Sequence, residues 1–526
     1  MPTFKNQTTN GRGIMNILIL TPTFILLTAS AGFCAEIKTS DISGNPASSR
    51  PVPLKNAYTR HLIPGEDFAA ESPSVITSTQ AKEDLNTLER LMEEAYAGHE
   101  YFGSRGMDWP GLFNLIKQEL DGKPVWAATQ YYNLLMKHLA AADIQDNHLS
   151  LKINTAGKQY WHAPSASHWT PRFAGYYVIR ENGRLYLTGR DHRSADSIEL
   201  IAVQGKNPLG FLFPTYVKDL PDETYLLGVL ERSSTGYLDC AVKIGTAAPS
   251  GISLPLHPIR TKRQAAMPVF ESKTIDGIPY IALRSMQDQY ASELEKFVQS
   301  AETVRSSPVI ILDMRGAAGG SDGWGIRWLS GLTNGVLRPN RTVSVLVSPA
   351  TLQGKVNYLR EELFQAGDKS AREHISGLLK RAEAELRSKE KERARRHWEP
   401  KTFEWPGSAP GKFEGTLLVI SDAYNVSAGE GFLETLKGLG KQVIILGENS
   451  GGVNTFGPLY PYRLPNSRIK IYLAQGITLY RGEVCESKGI PPDLWIDEED
   501  ILPSALEYAK KHVPLSDEKR GNGKAP

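Results

Sequence analysis

The run Val309-Ile310-Ile311-Leu312-Asp313-Met314, followed at once by Arg315-Gly316-Ala317-Ala318-Gly319-Gly320, constrains this chain more than any other segment. Four consecutive aliphatic residues bounded by turn formers read as a strand buried on both faces, the kind found inside parallel sheets covered by helices. A glycine-rich turn directly after such a strand presents successive backbone N–H groups without side-chain obstruction. A nest of that kind receives an anion or a developing oxyanion, although a plain tight turn has the same composition.

The flanking sequence supplies the covering helices. Tyr280–Leu283 is a second strand, and Leu294, Phe297, Val298 and Val304 mark a helix between the two. Leu417–Ser421 and Val443–Leu446 are further strands, joined by a helix over Ala428–Leu439. Repeated strand–helix–strand units imply right-handed crossovers and a mainly parallel core, placed at residues 266–505. Within it, residues 355–397 hold 12 Lys/Arg and 8 Asp/Glu among strong helix formers. A helical insertion over 351–410 is expected, read as a solvated arm, with a lid or docking arm as the sharper alternative.

Ahead of the core the pattern changes twice. Leu85, Leu88, Met92 and Ala95 share one helical face, Asp108-Trp109-Pro110 caps a second helix, and Tyr131, Leu134, Leu135 and Leu139 mark a third. This predicts an N-terminal helical domain over 77–148, closing on Asp146-Asn147-His148. From 149 to 265 short alternating or apolar runs (Leu149–Ile153, Tyr176–Arg180, Arg184–Leu187, Ile198–Val203, Tyr237–Ile244) predict a β-rich segment. Residues 36–76, rich in Pro, Ser and Gly, form a leader, and 506–526 a tail. At the start, Lys5 and Arg12 precede the apolar stretch Ile14–Phe33, which ends in small residues. That is the order of a secretory signal peptide over 1–35, so an exported, periplasmic or otherwise extracytoplasmic protein is expected, with no stable membrane span after cleavage.

Composition excludes some classes. At 526 residues the chain is long enough to bury several cores, and three cysteines are too few for a disulfide framework. Lys+Arg 60 against Asp+Glu 58 gives no case for nucleic acid.

Besides the 309–320 turn, three segments carry possible chemistry. Ser427-Ala428-Gly429-Glu430 opens a helix just after a strand, placing a hydroxyl at the positive end of the helix dipole. A serine there is also a favoured structural cap. Gly447-Glu448-Asn449-Ser450-Gly451-Gly452 is another strand-end glycine turn, and Gly482 through Asp493 is a turn-rich segment late in the core. No Gly-x-Ser-x-Gly elbow surrounds Ser427, which argues against an α/β-hydrolase.

In this order the segments resemble the C-terminal processing peptidases, also called tail-specific proteases, whose core is of the ClpP/crotonase-like class. The family pattern Asp-x-Arg-x-Asn-x-Gly-Gly matches Asp313–Gly320, Ser-Ala-x-Glu matches Ser427–Glu430, Gly-Glu-x-Thr-x-Gly matches Gly447–Gly452, and Gly-Ile-x-Pro-Asp matches Gly489–Asp493. Asp146-Asn147-His148 looks like the Asp-x-His that closes the family's N-terminal domain. The resemblance spans roughly 78–505 and implies a serine endopeptidase acting on polypeptides, with no metal or cofactor. It also implies a PDZ-like domain in the middle segment. Here its signature is faint, with Ser197 to Lys206 as the only match.

Two departures matter. Where one branch carries a general-base lysine, this chain has Gly452-Val453, and no lysine stands between Lys441 and Lys470. Ala317 replaces the asparagine of the glycine turn. The tricorn-like branch uses Ser, His and Glu. By resemblance that assigns Ser427 as nucleophile, His148 as general base and Glu486 as the group orienting the imidazole, with Glu483 as its rival. The oxyanion would be held by N–H groups of Gly319, Gly320 and Ala428. The departures leave two alternatives: a binding protein on the same fold without catalysis, and crotonase-type acyl-CoA chemistry, against which the signal peptide argues.

Overall fold

The computed structural model describes residues 70–513 apart from 156, 165–167, 191–197, 233–235, 261–266, 336–340, 389–395, 402–411, 481–483 and 485. The expected signal segment, most of the leader and residues 514–526 of the tail therefore lie outside the described residues, as do Glu483 and Cys485, whereas the first residues of the expected tail are helical. Among the described residues no helix is long and apolar enough to cross a membrane.

Four helices open the described chain: α1 (Ser78–Ala95), α2 (Ala97–Gly103), α3 (Trp109–Leu120) and α4 (Ala128–Ala141). The hydroxyl of Thr77 accepts from Gln80 N while the Gln80 side chain accepts from Thr77 N, so both ends of the first turn are satisfied. Asp108 caps α3 through Gly111 N with Pro110 in the first turn, as the sequence predicts. The block is not closed on itself. Leu85, Leu88, Phe113, Tyr131 and Leu135 share one core with Tyr462, Ile471, Leu473 and Leu479 from the other end of the chain. The carboxylate of Asp84, buried in α1, accepts from the backbone N–H groups of Asn466 and Ser467. Strands Ser150–Thr155 and Lys158–His162, expected at the head of the β-rich segment, belong to this body too. They pair with each other, Ser150–Thr155 pairs with Lys470–Ala474, and that strand pairs in turn with Leu459–Arg463.

The middle segment proper is an antiparallel sheet built from strands between Thr170 and Pro258. Its described residues hold one short 3-10 turn, Pro208–Phe211, and no α-helix. Arg190 and Arg260 bond Asp497, and the Thr215 hydroxyl donates to Trp495 O (2.5 Å), which joins this sheet to the core. Phe173, Phe213 and Trp495 pack edge to face at the same seam.

The core sheet has the order Phe270–Ile275, Ile278–Leu283, Val309–Asp313, Thr416–Ser421, Val443–Gly447, Leu494–Trp495. All pairs are parallel except the first. Alternation explains the unbroken apolar runs. Ile310, Leu312, Leu417, Val419 and Ile445 face α5 (Ala291–Val304), α6 (Gly323–Thr333) and α9 (Ala428–Leu436), where Phe297, Trp328 and Phe432 stack. Ile311, Leu418, Ile420 and Leu446 face α10 (Leu502–His512).

The charged insertion differs from the expected solvated arm. It forms α7 (Pro349–Gln365) and α8 (Lys369–Ser388), followed by a strand His397–Lys401 that pairs with Arg341–Val347. Val356, Leu359, Ala371, Ile375 and Ala382 are buried in the core that holds Trp328. Many of the charges sit on the outer faces, where Lys355 bonds Glu385 and Arg360 bonds Glu383, but Glu361 and Glu362 are buried, Glu361 against Lys470. Net charge concealed a helical stripe of apolar residues, and a stripe decides which face is buried.

Candidate active site

The strand Val309–Asp313 delivers Asp313 to a position with no solvent exposure. Burial alone would raise its pKa, but hydrogen bonds and charge from Arg284 and Arg315 hold the carboxyl far below its usual range. Its oxygens accept from both terminal nitrogens of Arg284 (2.8 Å each), from Arg315 Nε and Nη2 (3.0 and 2.7 Å) and from Tyr280 OH (2.7 Å). This cluster anchors the start of the glycine turn. The turn's own bonds are Gly316 N to Asp422 Oδ1 (2.9 Å), Ala318 N to Arg284 O (3.2 Å) and Met286 N to Gly319 O (2.8 Å). Asp422, at the end of the neighbouring strand, thus holds a turn in which Ala317 provides no side-chain amide, its backbone N–H donating to Met314 O (3.0 Å).

Glycine is obligatory at two positions here. Gly319 has φ +86°, and a Cβ on it would lie 2.8 Å from Ser427 Cβ; Gly320 has φ +129°, and its Cβ would lie 2.2 Å from the Met286 carbonyl. The turn is therefore pressed against the serine that precedes α9. Among the described residues no hydrogen bond uses the N–H of Gly319, Gly320 or Ala428 as donor. The Gly319 backbone thus lies against the Ser427 side chain, whose next residue carries another free N–H; free N–H groups so placed can receive a developing oxyanion.

Ser427 has φ +55° and ψ −120°, a conformation side chains other than glycine rarely adopt. Its N–H donates to Val453 O (3.0 Å) and to Glu430 Oε2 (3.2 Å). Glu430, fully buried in the first turn of α9, also accepts from Ser450 Oγ (2.5 Å), Gly452 N (2.9 Å) and Val453 N (2.8 Å). Burial pushes its carboxyl up to about 7 against these hydrogen bonds. In the sequence Glu430 is only the last letter of a motif; in the structure it is the clamp between the Ser427 turn and the 450–453 loop. Val453, standing where a base lysine occurs in one branch, contributes its backbone to that clamp.

His148 is 8% exposed, directly after α4 and its loop. A ring nitrogen of His148 and one oxygen each of Asp146 and Glu486 lie within 4.8 Å of one another. Burial drives the imidazole down to about 4, which keeps it neutral and able to accept a proton. Burial, reinforced by the Asp146 charge, raises Glu486 well above the usual carboxylate range. Glu486 accepts from Asn147 N (2.9 Å) and Thr455 N (3.0 Å), while Asn147 Nδ2 donates to Gly452 O (3.1 Å). The bonds from Asn147 Nδ2 to Gly452 O and from Ser427 N to Val453 O tie the histidine segment to the Ser427 turn across 279 residues of sequence. His148 Nδ1 makes no hydrogen bond among the described residues.

Side chains not anticipated from sequence border the same region. His168 Nδ1 bonds Gly451 O (2.6 Å), and Asn449 Nδ2 donates to Trp169 O (3.2 Å). Buried polar atoms without a partner among the described residues include those of Asn147, Asn425, Asn454 and Thr455. Such atoms gather where water or substrate completes the bonding. A cavity of about 480 Å³ lined by Tyr101, Phe102, Ile144, Phe456 and Glu486 opens behind the carboxylate. Asp146, His148 and Glu486 are also the one group of possible metal ligands this close together among the described residues.

A parallel sheet ending in a glycine nest against a strained serine, with a buried histidine–carboxylate pair nearby, defines a serine-type peptidase, a hydrolase. Residues 277–496 match the model of Peptidase family S41, so this core is similar to that family's and is that of a serine-type peptidase. Similar solved structures include mature CPAF complexed with lactacystin, 15% identical, with 82% of this chain and 97% of that chain covered and a TM-score of 0.44. The photosystem II D1 C-terminal processing protease is 13% identical, covering 82% and 96%, with a TM-score of 0.34. A putative peptidase from Parabacteroides merdae ATCC 43184 is 15% identical, covering 82% and 93%, with a TM-score of 0.37. No curated protein sequence matches this chain.

Proposed function

We propose that the protein is an exported serine endopeptidase of the tail-specific type, working through an acyl-enzyme on Ser427. The observation that carries this reading is Ser427 held at φ +55° with the Gly319 backbone packed on its Cβ. Ser427 Oγ attacks the scissile carbonyl as neutral His148 takes its proton, and Glu486 stabilises the imidazolium that forms. Charge on the carbonyl oxygen is met by N–H groups of Gly319, Gly320 and Ala428, each worth about 3 kcal/mol in the transition state. The imidazolium then protonates the leaving amine, and water, deprotonated by the same histidine, releases the acyl group.

Export rests on the charge, apolar and small-residue order of 1–35. Capture of a substrate tail is supported by the antiparallel sheet at 170–258, whose outer strands offer an edge to which a peptide strand can add. The absence of an α-helix among its described residues means that such binding would lack the helix wall of a PDZ groove. One observation favours an inactive binding protein instead: the unbonded Nδ1 of His148.

The test is labelling by a fluorescent phosphonate and cleavage of unfolded casein by protein lacking residues 1–35. Both are expected to vanish together in Ser427→Ala and in His148→Ala with the fold intact. Folded wild type that neither labels nor cleaves would establish the binding protein.

A further inference from the structure

Acyl transfer needs one carboxylate beside the imidazole, yet two face His148. Asp146 is fully buried, and its Oδ1 accepts from His148 N (2.8 Å) and Leu149 N (3.1 Å) while Oδ2 accepts from Tyr96 OH (2.8 Å). Glu486 is held by Asn147 N on one oxygen and Thr455 N on the other. A carboxylate oxygen has two lone pairs, so one protein donor on each Glu486 oxygen still leaves an acceptor site there. Between them lies a histidine that is nine-tenths buried, with a ring nitrogen that has no partner among the described residues. One nitrogen and two oxygens, each carboxylate braced from behind by main-chain or tyrosine donors, is a ligand set familiar from metal centres.

We propose that Asp146, His148 and Glu486 form a binding site for a divalent cation of the zinc kind, and that the ion and base catalysis at His148 exclude each other. Zinc takes imidazole nitrogen and carboxylate oxygen at about 2.0–2.2 Å, so rotation of the ring and of the Glu486 carboxylate must close the present 4.8 Å limit. The cavity that borders Glu486 gives a hydrated ion its way in and room for a water as fourth ligand. The exclusion follows from electron counting. Neutral imidazole has one in-plane lone pair; an ion on either nitrogen uses it, and the other nitrogen then carries the proton. No lone pair is left to take a proton from Ser427. The binding stands on geometry alone, whereas the inhibition rests on His148 being the general base.

The experiment uses untagged protein lacking residues 1–35 with Cys485→Ser, so that this thiol cannot hold the ion, after treatment with a chelator. Zinc is titrated by calorimetry and cobalt by its visible spectrum, in this protein and with Ser427→Ala, Asp146→Asn, Glu486→Gln or His148→Ala added. One ion per chain is expected, with affinity unchanged by Ser427→Ala and weakened about 10- to 100-fold by each ligand substitution. Phosphonate labelling should fall in step with zinc occupancy and return with chelator. Should His148→Ala not fold, as judged by near-ultraviolet circular dichroism, the Asp146→Asn and Glu486→Gln titrations decide. No saturable binding below roughly 100 μM, or affinity indifferent to all three ligand substitutions, overturns the site. Undiminished labelling at full occupancy overturns the exclusion. Tight binding at the predicted residues in a protein that never labels would uphold the site and sink the peptidase reading instead.

Discussion

At the scale of single residues, the Ser427 turn stores strain. A non-glycine residue in the conformation of Ser427 costs about 1–3 kcal/mol. Ser427→Gly should therefore abolish labelling while raising the melting temperature, by roughly 1 kcal/mol of stability; a fall in stability would mean that the turn is relaxed. Gly319→Ala should cut the labelling rate at least 100-fold, because its methyl would enter the space of the Ser427 side chain. Glu430 supplies a prediction in pH. Its carboxyl is raised on folding from 4.5 to about 7, so the folded state binds the proton more tightly and folding takes up a proton between those values. Its contribution to stability is thus present below about pH 4.5, declines as pH rises through the window, and is lost above about 7. The full decline is about 3 kcal/mol. Glu430→Gln removes that slope, so the difference in unfolding free energy between wild type and variant should change by about 2 kcal/mol between pH 5 and pH 7, the part of the decline that falls in that window. An identical difference at both would show that the carboxyl titrates normally.

At the scale of elements, the site hangs on α9 and on the strand before it. Phe432 anchors the helix between Phe297 and Trp328 and has no exposure. Phe432→Ala should cost about 3–5 kcal/mol in chemical denaturation. Because α9 carries Ala428 and Glu430, the labelling rate should fall as well. Loss of stability with an unchanged rate would mean that the turn is held without the helix. The insertion teaches a related lesson. The charges of 355–397 suggest solvation, yet Val356, Leu359, Ala371 and Ile375 recur on faces buried in the core that holds Phe297 and Trp328. Helical spacing of a few aliphatic residues outweighs many charges, because charges at the outer edge stay hydrated whichever way the helix lies.

At the scale of the whole molecule, α1–α4 and the strands Leu459–Arg463 and Lys470–Ala474 share one core, so the helical block is not a detachable module. Protein lacking residues 1–148 should expose Tyr462, Ile471 and Leu473, lose cooperative unfolding and be cut rapidly by added protease. A stable, cooperative remainder would show that the block is an independent domain. The same arrangement brings His148, at the end of the block, to Glu486 and the Gly452 loop near the other end of the chain.

What the sequence determined by itself was local and periodic. Aliphatic runs such as Val309–Leu312 can satisfy their burial only inside a covered sheet. Glycines at 319 and 320 mark backbone that no side chain tolerates, and a serine opening a helix after a strand sits beside free N–H groups. Those features depend on near neighbours, and the structure places them as expected. Tertiary packing alone decided that two carboxylates, not one, face His148, that Glu430 clamps two loops, and that Asp422 steadies a turn that Ala317 leaves without a side-chain amide. It also decided that the charged insertion is buried along one side. Each of these depends on residues brought together from distant stretches of chain, and neither composition nor local spacing records which burial and which hydrogen bonds such a meeting will create.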